Sequence, residues 1–135
     1  MSMDSSNFPL VWMRLAHASG TNFRQEFEEF EANLRRGEVF VLLTYSAAAG
    51  DQEHSQEEKK YTTLWMKKHK AELRKLVLAM IVIEPNAAKR IGLKAFAVIF
   101  AKFWGYPMRL ASSRQEALET ASELLSGKSK PADER

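Results

Sequence analysis

The sequence predicts an α/β fold, a single domain in which an open, mostly parallel sheet packs against helices. Three observations carry that prediction. Short apolar runs alternate with stretches of helical period in the order β-α-β-α-β-α-β-α. Two of the runs, VFVLLT at 39–44 and LVLAMIVI at 76–83, are apolar without interruption, as strands covered on both faces must be. Capping residues punctuate the helical stretches: Thr21, Ser55, Asn86 and Ser113 stand in front of them, and Gly37, Gly105 and Gly127 close three of them.

The polar residues 1–7 carry no pattern and are expected to be a disordered N-terminus ahead of a domain spanning 8–127. Phe8 to Leu15 is the first strand, with Val11, Met13 and Leu15 alternating against Trp12 and Arg14. Pro9 has no amide to donate, so its end belongs at an edge or terminus. After the turn at Ser19 and Gly20, Phe23, Phe27, Phe30 and Leu34 recur at helical spacing in the clearest amphipathic helix of the chain. Residues 39–44 then make a central strand, followed by a small-residue loop at 46–54. Ser55 and Glu58 form a capping box for a helix reaching about Arg74, with Tyr61, Trp65, Met66, His69 and Leu73 on one face.

The second buried strand, Leu76 to Ile83, ends at Glu84 and Pro85. Asn86 caps a third helix over 87–104, and Met108 to Ala111 is a short strand behind Pro107. Ser113 and Glu116 are a further capping box, opening a helix whose Ala117, Leu118, Ala121, Leu124 and Leu125 face inward. The sequence 128–135, KSKPADER, is expected to be a disordered tail.

A chain of 135 residues suits one domain with a substantial core, and 45% hydrophobic with 27% charged residues is ordinary for a globular protein. Without cysteine it has no disulfide, thiolate nucleophile or zinc–sulfur site. Residues 1–7 show neither a basic nor an apolar segment of signal-peptide type, and no apolar run is bilayer-length, so a cytoplasmic location is the expectation. The isoelectric point near 9.2 suggests a polyanion partner. The net charge is only +3, however, and the charges are sorted by element. Glu26, Glu28, Glu29 and Glu31 make the first helix acidic; Lys59, Lys60, Lys67, Lys68, Lys70, Arg74 and Lys75 make the second basic. Tyr61 and Trp65 interleave with those cations but share the core-facing stripe, so nucleic-acid binding is not expected.

No phosphate-binding glycine motif, nucleophile elbow or metal-spaced cluster is present, and neither a catalytic residue, a cofactor nor a metal is expected. His17, His54 and His69 are scattered. His69, between Trp65 and Leu73, reads as a partly buried core imidazole; Asp51, Glu53 and His54 make at most a weak cation contact. The third helix is apolar over an unusually wide arc. Ile91, Ala95, Ile99 and Phe103 form one stripe, expected to face inward. Leu93, Phe96, Phe100 and Trp104 carry the surface further round, expected either to be covered by neighbouring helices or to meet a partner or ligand. Lys89, Arg90, Lys94 and Lys102 border it, so a contact with a membrane surface or lipid is conceivable but not favoured.

The order of elements resembles the STAS domain, the fold of the sporulation anti-sigma-factor antagonists. The stretch from Leu64 to Leu125 is similar to the loosely defined STAS-like proteins of bacteria. The residues that carry the likeness are Trp65, His69 and Leu73 in WMKKHKAEL, the strand VLAMIVI, an apolar helix ending in Phe103-Trp104, a Pro-Met-Arg-Leu strand, and Ser113, Ala117 and Leu118. The resemblance implies a non-enzymatic regulatory module that binds other proteins. In that family a serine at the start of the helix after a central strand is phosphorylated by a partner kinase. Ser55 holds the comparable place, a favourable one for an anion, although His54 stands where the family has an aspartate. The expected partners are therefore a regulatory protein or a second copy, meeting the third helix and the 46–55 loop. A carrier with a hydrophobic-ligand or lipid pocket under the third helix, lined by Phe96, Phe100 and Trp104, is the alternative.

Overall fold

The computed structural model describes residues 2–14, 23–46 and 56–127. They form β1 (Ser2–Asn7), β2 (Leu10–Arg14), α1 (Phe23–Arg35), β3 (Phe40–Tyr45), α2 (Gln56–Leu76), β4 (Val77–Ile83), α3 (Ala87–Trp104), β5 (Met108–Ala111) and α4 (Arg114–Ser126). The five strands make one sheet in the order β1-β2-β3-β4-β5. β2 through β5 are mutually parallel, and β1 runs antiparallel to β2. The α/β architecture and the central place of β3 agree with the sequence reading.

β1 corrects it. Residues 2–7 were expected to be disordered, yet Ser2, Met3 and Asp4 pair with Arg14, Met13 and Trp12. A strand this polar survives because it sits at the sheet edge and leans on an apolar neighbour. Past Asp4 the register breaks. There the Asp4 carboxylate accepts hydrogen bonds from the Ser6 amide (3.0 Å) and hydroxyl (2.6 Å), which turn the chain and hold the carboxyl below its usual range. Pro9 falls in the turn to β2, where only its carbonyl is used, accepting from the Val41 amide at 2.9 Å.

Because side chains alternate along a strand, β3 and β4 feed two cores. Phe40, Leu42, Met80 and Val82 join Val11 and Met13 of β2 against Phe27, Phe30 and Leu34 of α1, Trp65, Met66 and Leu73 of α2, and Phe100 of α3. Val41, Leu43, Ile81 and Ile83 face the opposite way, onto Ala117 and Ala121 of α4. Three helices thus cover one face and α4 the other, its alanines allowing close approach to the sheet. Thr44, buried in the middle, donates its hydroxyl to the Met13 carbonyl at 3.0 Å and ties β3 to β2.

The caps of α3 and α4 fall where the sequence puts them, while the expected caps Thr21 and Ser55 lie outside the described residues. Asn86 Oδ1 accepts from the Lys89 amide at 3.0 Å, and Ser113 Oγ from the Glu116 amide at 3.1 Å. Gly105 ends α3 at φ +90°, returning its amide to Ala101. A Cβ there would lie 2.6 Å from Arg74 Cγ, so both conformation and space demand glycine.

Candidate functional site

The carboxyl ends of β3, β4 and β5 lie side by side, the usual place for a site on an open parallel sheet. Ser46 follows β3, Glu84 follows β4, and Ser112 follows β5. The Glu84 carboxylate is buried and accepts hydrogen bonds from the Ser46 hydroxyl and the Asn86 amide (2.8 Å). Those two bonds, ahead of the nearby Lys89 and Arg90 cations, outweigh burial and hold Glu84 below the usual carboxylate range. Arg90 bends back to donate to the Glu84 and Pro85 carbonyls at 2.7 and 3.0 Å.

Glu116 repeats the arrangement one strand on, taking the Ser112 amide and hydroxyl at 2.5 and 2.9 Å; both bonds, with a smaller contribution from Arg90, lower its pKa. An open groove of about 640 Å³ runs along this edge between Tyr45, Ser46, Ile83, Glu84, Lys89 and Leu93. A carboxylate held this firmly ionised is a weak base, and the Ser46 hydroxyl is committed to it. The pair fastens the end of β3 to the start of α3. On the α4 side, the Arg114 guanidinium lies 4.4 Å over the Trp12 ring and donates to the Tyr45 hydroxyl at 3.3 Å, while Trp12 and Tyr45 stack at 5.9 Å.

The phase of α3 overturns one expectation. Ile91, Ala95, Ile99 and Phe103 were expected to face the sheet, yet Ile91 is 67% and Ile99 65% exposed. The inward face is the other one. Phe100 is 8% exposed, and Leu93 and Trp104 pack against the same core. Lys102 supplies the reason. It stands seven residues after Ala95, four after Val98 and three after Ile99, so the expected phase would have buried an unpaired ammonium. Turned as it is, α3 buries Phe100 and part of Trp104 instead: Phe100 meets Tyr106 edge-on at 5.4 Å and Trp104 at 6.1 Å. The same burial pushes the Tyr106 phenol upward. Of the four residues singled out for contact, Phe100 is therefore core, Leu93 and Trp104 are partly buried against it, and Phe96 is half-exposed.

What remains outside is a second apolar face, made by Ile91, Phe96, Val98, Ile99 and Phe103. The stripe expected inward faces out, while the arc left open between burial and contact divides, with Leu93, Phe100 and Trp104 packed inward and Phe96 half-exposed; the position of Lys102 was the signal that could have set the phase.

His69 is buried between α1 and α2, as its stripe predicted. Its ring lies 4.5 Å from that of Trp65, its Nδ1 pairs with Glu72 at 2.7 Å, and its Nε2 faces Glu31 at 3.9 Å. Ser55, His17, His54, Asp51 and Glu53 lie outside the described residues. Among the described residues no group of three or more His, Asp or Glu is placed to hold a metal ion, and no helix is long and apolar enough to cross a membrane. No family model matches the chain, and no curated protein or solved structure does so either.

Proposed function

We propose that this chain is a non-enzymatic, STAS-like regulatory module that works by binding, with the outward face of α3 as its principal docking surface and the strand-end groove beside it. The observation that carries the reading is the set of large apolar side chains left in water on α3. Folding does not require them there, and contiguous patches of this kind usually mark interaction surfaces. The order of strands and helices supports the STAS-like reading, since a buried strand, an apolar helix, a short strand and a terminal helix follow one another from β4 to α4. In sequence Ser55 directly precedes α2, so a phosphate on it would stand at the start of that helix.

The carrier reading loses its original pocket, because the space between α3 and the sheet is filled by the rings of Phe100, Trp104 and Tyr106. Among the described residues, the groove lined by Tyr45, Ser46 and Leu93 offers a small ligand an open place to sit.

The test is native mass spectrometry of the protein purified from its own cells, beside an Ile99→Glu variant. A complex or dimer mass that disappears in the variant supports docking through α3. Identical spectra for the two proteins, with every complex retained, would remove α3 from the account. Phe100→Glu is the wrong probe, since it places a charge in the core.

A further inference from the structure

The outward face of α3 has a charge pattern as well as an apolar one. From Pro85 through Gln115 the chain carries Lys89, Arg90, Lys94, Lys102, Arg109 and Arg114 and not one acidic residue. At 100° per residue, Lys89 and Lys94 fall on opposite borders of the exposed apolar arc, and Lys102 lies in the last turn. The neighbouring helix adds cations at the same end. Lys70 of α2 reaches the Lys102 carbonyl at 3.4 Å, and the Arg74 side chain lies against Gly105. The result is a helix about 27 Å long with no acidic residue of its own, bordered by Lys89 and Lys94 and apolar along its outer surface except for Lys102 in the last turn.

That pattern discriminates among occupants. A second copy docked across a two-fold axis would set one lysine-rimmed face against another, with no carboxylate on either α3 to compensate. A nucleic acid would meet Ile91, Val98 and Ile99 where it needs polar contacts. An anionic bilayer satisfies both features at once. The apolar side chains enter the boundary between headgroups and acyl chains, while lysines at the borders extend along the apolar surface to reach the phosphates. Four cations within the helix, Lys89, Arg90, Lys94 and Lys102, are compatible with lying in the interface and not with spanning it.

We propose that α3 is an interfacial helix that seats this domain on anionic lipid, leaving the strand-end groove to a regulatory partner. The inference rests on the reading of the α3 face as a docking surface, and names its occupant. Binding is reversible, because the inserted area is that of a few side chains on one helix.

Vesicle co-sedimentation of the full chain tests it, with phosphatidylcholine alone and with phosphatidylcholine and phosphatidylglycerol in equal parts. The expected result is binding to the anionic vesicles, weakening as salt rises, with little to the neutral ones. Ile91→Glu with Ile99→Glu removes the binding. Lys94→Gln with Lys102→Gln lowers it about thirtyfold, roughly fivefold for each lysine. Leu64→Glu, which changes an exposed leucine of α2 in the same way, leaves it intact.

Failure to bind anionic vesicles at low salt overturns the lipid assignment, as does binding that survives the paired isoleucine change. If vesicle binding fails while Ile99→Glu still dissolves a complex or dimer in native mass spectrometry, the lipid inference falls and the docking surface stands. If neither assay responds to Ile99, both fall.

Discussion

The two faces of α3 are built from the same kinds of side chain and have opposite fates. Leu93, Phe100 and Trp104 pack into the larger core, while Ile91, Val98 and Ile99 stand in water. Hydrophobicity does not separate them, since both sets are large and apolar. What separates them is company. The outer set shares its side of the helix with Lys102, whereas the inner set shares it with Ala97. The cost of burying one ammonium without a partner exceeds what two isoleucines gain by burial, so Lys102 chooses the orientation. A helix apolar all round is oriented by its few charges.

The largest expected effect sharpens that contrast. Phe100→Ala should lower unfolding stability by about 3–5 kcal/mol, the usual cost of emptying a buried phenylalanine site. Urea denaturation beside the wild type measures it; a loss below about 1 kcal/mol would mean the inner face is not core. Next comes the joint that fixes where α3 ends. Gly105→Ala should cost about 1–2 kcal/mol, because alanine is strained at φ +90° and its Cβ meets Arg74 Cγ. Adding Arg74→Ala should return part of that loss, the part due to contact, and a double-mutant cycle reads it directly. At the other end, Asn86→Ala should cost about 1 kcal/mol by leaving the Lys89 amide without its cap.

Much of this fold was legible in the sequence, for reasons visible in particular residues. The bounds of α3 follow from Asn86 and Gly105, and those of α4 from Ser113 and Gly127, because a cap is a local event that few residues can perform. β3 and β4 were recognisable as buried because an apolar run without alternation has no other stable use in a sheet. β1 was not, since Ser2–Asn7 owes its conformation to pairing with β2 and not to its own composition. The Ser46–Glu84 bond was equally hidden: the two residues lie 38 positions apart and meet only because β3 and β4 are neighbours. For α3 the signal was present, in the spacing of Lys102 from Ile99, Val98 and Ala95, but it competed with a tidier aliphatic stripe.

The first turn of α3 is anchored by Glu84, which makes the helix start sensitive to pH. Its carboxyl is held below the usual range by the Ser46 hydroxyl and the Asn86 amide. A group whose folded pKa is depressed contributes stability that is present above its unfolded pKa, and is lost as pH falls through the folded value. Wild type should therefore melt above Glu84→Gln at neutral pH. The gap should close as the pH falls below the ordinary carboxylate range, through the depressed value of Glu84, where the carboxyl takes up its proton. Thermal melts of both proteins across that range check the sign. A gap that widens toward acid would show that Glu84 is not the ionised anchor of the helix start.

The smallest expected effect on stability is the one that most directly separates the two faces. Ile99→Ser removes an aliphatic side chain of the same class as those in the core, from a helix whose inner residues tolerate little change. If exposure alone determines the outcome, stability should move by no more than about 0.5 kcal/mol, since a side chain 65% in water has little burial to lose. Serine's slightly poorer helix propensity acts in the same small range. A loss near 2 kcal/mol would instead mean that another part of the chain lies over Ile99 and that the outer face is a second core. A near-zero change in stability, together with loss of vesicle or partner binding, would show that isoleucine is kept at this position for contact outside the molecule. The same measurement on Val98→Ser, 59% exposed and one residue round the helix, tells whether that requirement belongs to the whole face or to Ile99 alone.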